Sequence, residues 1–324
     1  MKYSVFVSGL LLSVVSLSPA FAASDPDCGN PPVKTAEAVF TIQTPERAAV
    51  NRVAVEAPAS APAPGPAKQT SPIDAAPGQI ETVQVAQAPD QLAKTPAAAY
   101  TAVLQRRIKR GPGGLNLFDY AGAKAAGELK TIRAYTDYLA AQNPDQMPQN
   151  DQLAYWANLY NALTVKLILE NYPVKSIRQV KAGTFSTGPW KRDEVTVNGQ
   201  VLSLNDIEHD IMRKRYPNPA MVHYMVNCAS IGCPNLLPKL WSGATLEADR
   251  EAAARAFINS PRGVKINDGE LKASSIYNWF KEDFGGSKSN TLSHFRQFAG
   301  PELRAAIDSG AKISGFGYDW DLNE

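Results

Sequence analysis

Cysteine and histidine are the scarcest chemistry-bearing residues of this chain, with three of each among 324 residues. So few cysteines cannot build the disulfide framework that holds small secreted domains together. An excess of charge of one sign is missing too. Lys+Arg 33 against Asp+Glu 31 gives a formal net charge of +2, which supplies no concentrated field for nucleic acid or an anionic membrane. No nucleic-acid partner is therefore expected. Beyond the N-terminus no apolar run reaches the roughly 20 residues needed to cross hydrocarbon, so the mature chain is expected to lack a transmembrane segment. Aromatic residues are absent from Ser24 to Ala99 except for Phe40. A stretch of that composition buries too little apolar surface to offset its ordering entropy.

The N-terminus, by contrast, carries a recognisable order of features. Lys2 is followed by an apolar run, Val5 to Leu17, interrupted only by Ser and Gly, and then by Ala20-Phe21-Ala22. A positive start, a short apolar segment and small residues at an Ala-x-Ala triplet predict a cleaved secretory signal over residues 1–22. Cys28 lies too far past Ala22 to be a lipid-modified N-terminal cysteine. Residues 23–99 read as a Pro/Ala-rich disordered tether, in which Ala57 to Pro66 is low-complexity sequence suited to an extended polyproline spacer. The expected destination is the periplasm or the exterior.

Residues 100–324 read as one globular domain of the α+β class, mainly helical, with small antiparallel hairpins. Leu129, Ile132, Tyr135 and Leu139 repeat at helical spacing and stop before Asn143-Pro144. Leu153, Trp156, Tyr160, Leu163 and Leu167 form the stripe of a second helix, with Asp151 as its expected cap and Tyr172-Pro173 as its end. Apolar alternation around Asn198-Gly199 and Asp268-Gly269 predicts two hairpins. Further helices are expected over 204–213, 246–258, 276–284, 292–298 and 302–308. No strand-helix-strand alternation appears, which argues against a doubly wound parallel sheet and its nucleotide crevice. No cofactor is expected. The basic run Arg106-Arg107-Ile-Lys-Arg110 reads as a solvated charge cluster.

The chemistry concentrates between Leu204 and Trp241. Of the domain's two cysteines and three histidines, His209, His223, Cys228 and Cys233 lie in this one stretch, and His294 stands apart. Three readings of the cluster compete. In the first, Cys228 is a thiol nucleophile at a turn where Met221 to Val226 gives way to small residues. His209 would then be the preferred base, with Glu208 or Asn161 as orienting group and the Ala229 to Gly232 amides as oxyanion donors. His223 is the other candidate base, although an offset of five residues does not pair it locally with Cys228. In the second reading Cys228 and Cys233 form a structural bridge. In the third, zinc is held by Cys228, Cys233, His223 and His209. Asn161, at the edge of the apolar face of its helix, reads first as a core carboxamide bonding a neighbouring backbone.

Taken together, Tyr155 to Val165, Leu204 to His209, His223 to Pro234 and Tyr318 to Asn323 resemble the signature blocks of domain-of-unknown-function family 547. The resemblance runs from about Leu129 to Asn323 and implies a single α+β domain, often exported in bacteria, with no settled activity. The positions that match its blocks are Asn158, Asn161, Glu208, His209, His223, Cys228, Cys233 and Pro234. The inventory of Cys, His and Glu or Asn also suggests a papain-like or transglutaminase-like thiol enzyme, circularly permuted because His precedes Cys. The expected function is a thiol-dependent hydrolase or acyltransferase acting on peptide, amide or thiol-ester bonds, with an unidentified peptide or small molecule as ligand. The competing expectation is a non-catalytic exported binding or scaffold domain with Cys228 and Cys233 structural. Mature protein recovered after export is expected to begin at or near Ala23. Intact-mass analysis checks this, and retention of Met1 would contradict it.

Overall fold

The computed structural model describes residues 95–183, 186 and 188–324. The signal segment and nearly all of the tether lie outside the described residues. Helix α1 (Pro96–Arg107) opens on Thr95, whose side-chain oxygen accepts the Ala98 N–H at 3.2 Å, with proline in the first turn, where no N–H partner is lost. It runs into a hairpin of β1 (Ile108–Arg110) and β2 (Asn116–Phe118), which leads to α2 (Tyr120–Ala125) and α3 (Leu129–Ala140). Arg106, Lys109 and Arg110 are exposed, as expected of the basic run, but Arg106 and Arg107 are also paired. Both bind the buried carboxylate of Glu128 at 2.8 Å, and Arg107 also reaches Asp119 at 2.8 Å. A buried carboxylate has to be neutralised, and the last turn of α1 delivers the two guanidinium groups that do it.

Helix α4 (Gln149–Asn171) is the axis of the domain. It begins two residues before the expected cap, entered from the extended Pro148, and Asp151 instead lies in its first turn, where a negative charge suits the helix dipole. The stripe read from the sequence is correct but incomplete. From Leu153 to Leu169 every side chain except the half-buried Lys166 is buried. The second face is made of Ala154, Ala157, Asn158, Asn161, Ala162 and Thr164, small or amide residues that let other backbone approach closely. Lys166 is accommodated by Glu194, at 3.7 Å.

After α4 come the hairpin β3 (Val195–Val197) and β4 (Gln200–Leu202), then a π-helical segment, Asp206–Met212, continued by Arg213–Arg215. A short α5 (Pro219–Val222) leads to the cysteine loop. Beyond it lie α6 (Leu246–Ile258), β5 (Val264–Asn267), β6 (Glu270–Ser274), α7 (Ile276–Trp279), α8 (Lys288–Phe298), α9 (Pro301–Asp308) and β7 (Ile313–Gly317). Both hairpins stand where Asn-Gly and Asp-Gly put them, with Asn198 and Asp268 at positive φ. β7 was not foreseen. It adds to β6 in parallel, giving a three-stranded sheet in the order β5-β6-β7, and its two glycines hide the alternation that would have announced it. The helix expected over 276–284 stops at Trp279. Turns follow as far as Gly285 and Gly286, both at positive φ, and fold residues 280–284 back over α5.

The fold is α+β and mainly helical, in one domain, with two apolar clusters. The first gathers around α4 and the second around α6, α8 and the three-stranded sheet. The cysteine loop lies where the two clusters meet. Leu163, fully enclosed in the first cluster, reports on this core. Leu163→Ala is expected to lower unfolding free energy by about 2 to 5 kcal/mol, measured by denaturant titration. A loss below about 1 kcal/mol would mean that α4 is not the central packing element.

Candidate functional site

Two asparagines of α4 build the floor of the site. Asn158 Oδ1 accepts the Trp241 N–H at 2.9 Å and its Nδ2 donates to the Trp241 carbonyl at 2.9 Å. One turn on, Asn161 Oδ1 accepts the Asn227 N–H at 2.8 Å and its Nδ2 donates to the Met225 carbonyl at 2.9 Å. Each carboxamide thus acts as a piece of strand, pairing both ways with backbone that enters the core without a sheet to receive it. Asn161 is therefore occupied in holding the cysteine loop and not in orienting an imidazole.

The loop itself is wound tightly. Asn227 Oδ1 accepts the Ala229 N–H at 2.9 Å, its Nδ2 donates to the Pro234 carbonyl at 2.7 Å, and Ala229 adopts φ 57. Residues 319–323 close over the outside. Ile231 N–H donates to Asp321 and Gly232 N–H to Asp319, both at 2.8 Å, and Asn323 N–H donates to Ala229 at 3.2 Å. A Cβ at Gly232 would come within 2.8 Å of the Asp319 carbonyl oxygen and the Tyr318 ring, so only glycine fits. These bonds correct one expectation. The amides of Ala229, Ile231 and Gly232 are committed to internal acceptors and do not form an oxyanion hole.

Within the loop Cys228 and Cys233 meet. Their Sγ atoms are 2.6 Å apart and are not joined as a disulfide, and Cys228 N–H donates to Cys233 Sγ at 3.1 Å. The Tyr318 hydroxyl lies 3.2 Å from Cys228 Sγ, 2.9 Å from Cys233 Sγ and 2.8 Å from Ser230 Oγ. Both cysteines are buried. Burial, and then the hydrogen bond from Cys228, push the Cys233 thiol well above the ordinary thiol range. Arg262 braces the same loop, with its guanidinium bonded to the Cys233 carbonyl and, at 2.7 Å, to Asn235 Oδ1.

A second constellation faces this pair. His223 Nε2 lies 2.7 Å from Asp283 Oδ2, which also accepts from Arg213 Nε at 2.6 Å. Burial alone would raise Asp283, but the bonds from His223 and Arg213 outweigh it and hold the carboxyl at about 2. An ionised Asp283 can only accept, so His223 carries its proton on Nε2 and keeps Nδ1 as the basic nitrogen. That nitrogen is 3.8 Å from Glu208 Oε1, and the His223 ring is stacked on Phe280 with centroids 4.3 Å apart. His209 is placed differently. Its Nδ1 accepts from Arg213 Nη1 at 3.2 Å and stands 4.0 Å from Glu208 Oε1. Burial lowers the pKa of both histidines below 6.5, with nearby Arg213 acting in the same direction.

A small cavity of about 20 Å³ joins the two constellations. Glu208, His223, Cys228 and Cys233 line it, together with Trp279 and Tyr318, and His209 is not among its walls. The structure therefore brings four of the sequence candidates to one hollow, places His209 behind them and puts Asn161 beneath the loop. Asp283, Tyr318 and Arg262 are functional neighbours that the sequence reading missed. Asp283 stood hidden in an expected helix, Tyr318 was visible only as part of a motif block, and nothing in the sequence distinguished Arg262. The zinc reading finds no support in the geometry, since among the described residues no three His, Cys, Asp or Glu side chains converge as a metal set. Among the same residues no helix is long and apolar enough to cross a membrane.

Residues 144–258 match the family described as "Protein of unknown function, DUF547". The match supports the resemblance seen in the motif blocks over α4, the π-helical segment and the cysteine loop. No curated protein and no solved structure matched the chain.

Three buried bases and one paired acid set the response to pH. Burial holds His294 at about 4, and His209 and His223 also lie below 6.5. As pH falls from about 7 the unfolded chain binds protons at these rings before the folded chain does, so stability falls with pH. Asp283 adds to the trend at lower pH: its contribution is complete above the ordinary carboxylate range and is lost as pH drops towards about 2. The thermal midpoint is expected to fall steadily from pH 7 to pH 4, and to fall less over that range in His223→Phe. A flat wild-type profile would show that the rings are not held neutral.

Proposed function

We propose that the domain is a thiol-dependent acyl-transfer enzyme, a hydrolase or acyltransferase acting on peptide, amide or thiol-ester carbonyls, exported by its N-terminal leader. The supporting observation is that Cys228 and His223 line one cavity, with Asp283 bonded to His223 Nε2. Thiol, imidazole and carboxylate in that order form the relay in which a base activates a nucleophile and is itself oriented. His223 takes the place first expected of His209 because it lines the cavity.

The steps follow from these roles. His223 Nδ1 accepts the Cys228 thiol proton, and the thiolate attacks the carbonyl carbon. Negative charge moves to the carbonyl oxygen, where the Tyr318 hydroxyl, 3.2 Å from the sulfur, is the donor placed to meet it. Collapse breaks the bond to the amine or thiol, which leaves with the proton held by His223. The acyl group on Cys228 then passes to water or to a second nucleophile. Phe280 on one side and Asp283 on the other keep the imidazole in its plane throughout.

A scaffold reading rests on the burial of both sulfurs, and the same experiment separates the two. Incubation with a small thioester probe is expected to leave its acyl group on the wild-type chain, read by mass. Cys228→Ser should abolish the adduct, and His223→Gln should slow its formation by about a hundredfold or more. Both variants should keep a near-normal thermal midpoint. Because His223 is held neutral, labelling should persist below pH 6.5, where an ordinary imidazole would be protonated. Absence of any wild-type adduct, or a Cys228→Ser variant that still labels, would favour the scaffold.

A further inference from the structure

Acyl transfer leaves Cys233 without a task. A nucleophilic cysteine needs no second sulfur against it, and a purely structural bridge across so short a loop constrains little of the unfolded chain. Yet Cys233 is placed with care. Its backbone N–H is tied to the Ser230 carbonyl at 3.1 Å, its sulfur receives the Cys228 amide, and its carbonyl is held by Arg262. Ser230 Oγ and the Tyr318 hydroxyl, at 3.4 Å and 2.9 Å, complete the shell around the sulfur. This second thiol is aimed at the first.

We propose that Cys228 and Cys233 act as an attacking and a resolving cysteine, giving the domain a thiol-disulfide exchange activity towards small exported disulfides, of which oxidised glutathione is the model probe. The inference rests on the reading above that Cys228 is the nucleophilic sulfur. In the first step the Cys228 thiolate attacks one sulfur of the disulfide R–S–S–R. The S–S bond breaks, one R–S⁻ leaves and takes up a proton, and Cys228 is joined to the other R–S. In the second step Cys233, after losing its proton to the departing group, attacks the Cys228 sulfur. A second R–SH is released and a Cys228–Cys233 disulfide remains. Two thiols are oxidised and one small disulfide is reduced to two thiols, so atoms and electrons balance.

Three features assign the roles in this order. Cys228 and His223 line the same cavity, so the first proton has an acceptor close to the site of attack. Cys233 is kept protonated by burial until a leaving group arrives to take its proton, which prevents both sulfurs from competing for the same substrate. Arg262 holds a positive charge at the loop, among whose electrostatic partners are Cys233 and Tyr318, and that charge favours the thiolate that resolves the mixed disulfide. In the bridged form Cys228 cannot attack a carbonyl, so the exchange also turns off the acyl chemistry and a dithiol reductant restores it.

The test uses the full exported chain, fully reduced, in two arms followed by intact mass. In the first arm it is treated with oxidised glutathione. The wild type is expected to become lighter by two hydrogens and to keep no glutathione. Cys233→Ser should retain one glutathione on Cys228, located by peptide mapping, and Cys233→Ala should behave the same if serine perturbs the loop. Cys228→Ser should retain none. In the second arm the same reduced and bridged samples meet the thioester probe, and only the reduced wild type should label. Failure of the wild type to bridge while its reduced form still labels would overturn the exchange proposal and leave the acyl-transfer reading standing. Bridging without any labelling of the reduced form would support the exchange and remove acyl transfer. Retention of glutathione by the wild type would overturn the resolving role of Cys233.

Discussion

Paired hydrogen bonds from two carboxamides on one face of α4 are the constraint on which this site depends. A loop that enters a hydrophobic core brings backbone N–H and C=O groups with it, and each needs a partner or costs about 1 to 3 kcal/mol. No β-strand is available there. Asn158 and Asn161 stand in for one, each accepting and donating at once, and Asn227 repeats the device inside the loop. Serine or aspartate could not replace them, since neither offers an acceptor and an NH₂ donor on one rigid plane. The small neighbours on α4 follow from the same need, because amide and backbone meet only if nothing bulkier stands between them.

Much of this was legible in the sequence, and the boundary of legibility has physical causes. Helices with a clean 3.6-residue stripe, such as α3 and α6, and the hairpins at Asn-Gly and Asp-Gly are local events governed by neighbouring residues. The seam between the two apolar clusters is not. Asp283 comes to His223 across sixty residues of chain because the helix stops at Trp279 and turns carry residues 280–286 back, and no period announces that return. β7 pairs in parallel over a long connection, and Arg262 reaches the loop from a turn. The scarcity of cysteine and histidine pointed to the stretch that lines the cavity. It did not say which imidazole lines the cavity, since that depends on the π-helical segment, which turns Glu208 into the core and leaves His209 against Arg213.

The charges at the seam are arranged so that each answers another. Asp283 takes two donors, Arg213 serves both Asp283 and the lone pair of His209, and Glu208 lies about midway between the two rings. Phe280 packs against both the imidazole of His223 and the guanidinium of Arg213, the latter 4.6 Å from its centroid, so one apolar plate contacts both polar groups. The cost of burying ionised groups is met by mutual satisfaction, and what remains available is a single ring nitrogen and a sulfur.

Residues 318–323 form the outer wall of the cysteine loop and supply the Tyr318 hydroxyl, although they are made roughly ninety residues after the sulfurs they enclose. Synthesis runs from the N-terminus, so the two thiols are made long before their cover is. Until it arrives, the Ile231 and Gly232 amides are unpaired, the loop lacks its geometry and the sulfurs stand open to solvent and to stray oxidants. The sulfur pair thus acquires its geometry late, when residues 318–323 close upon the middle of the domain.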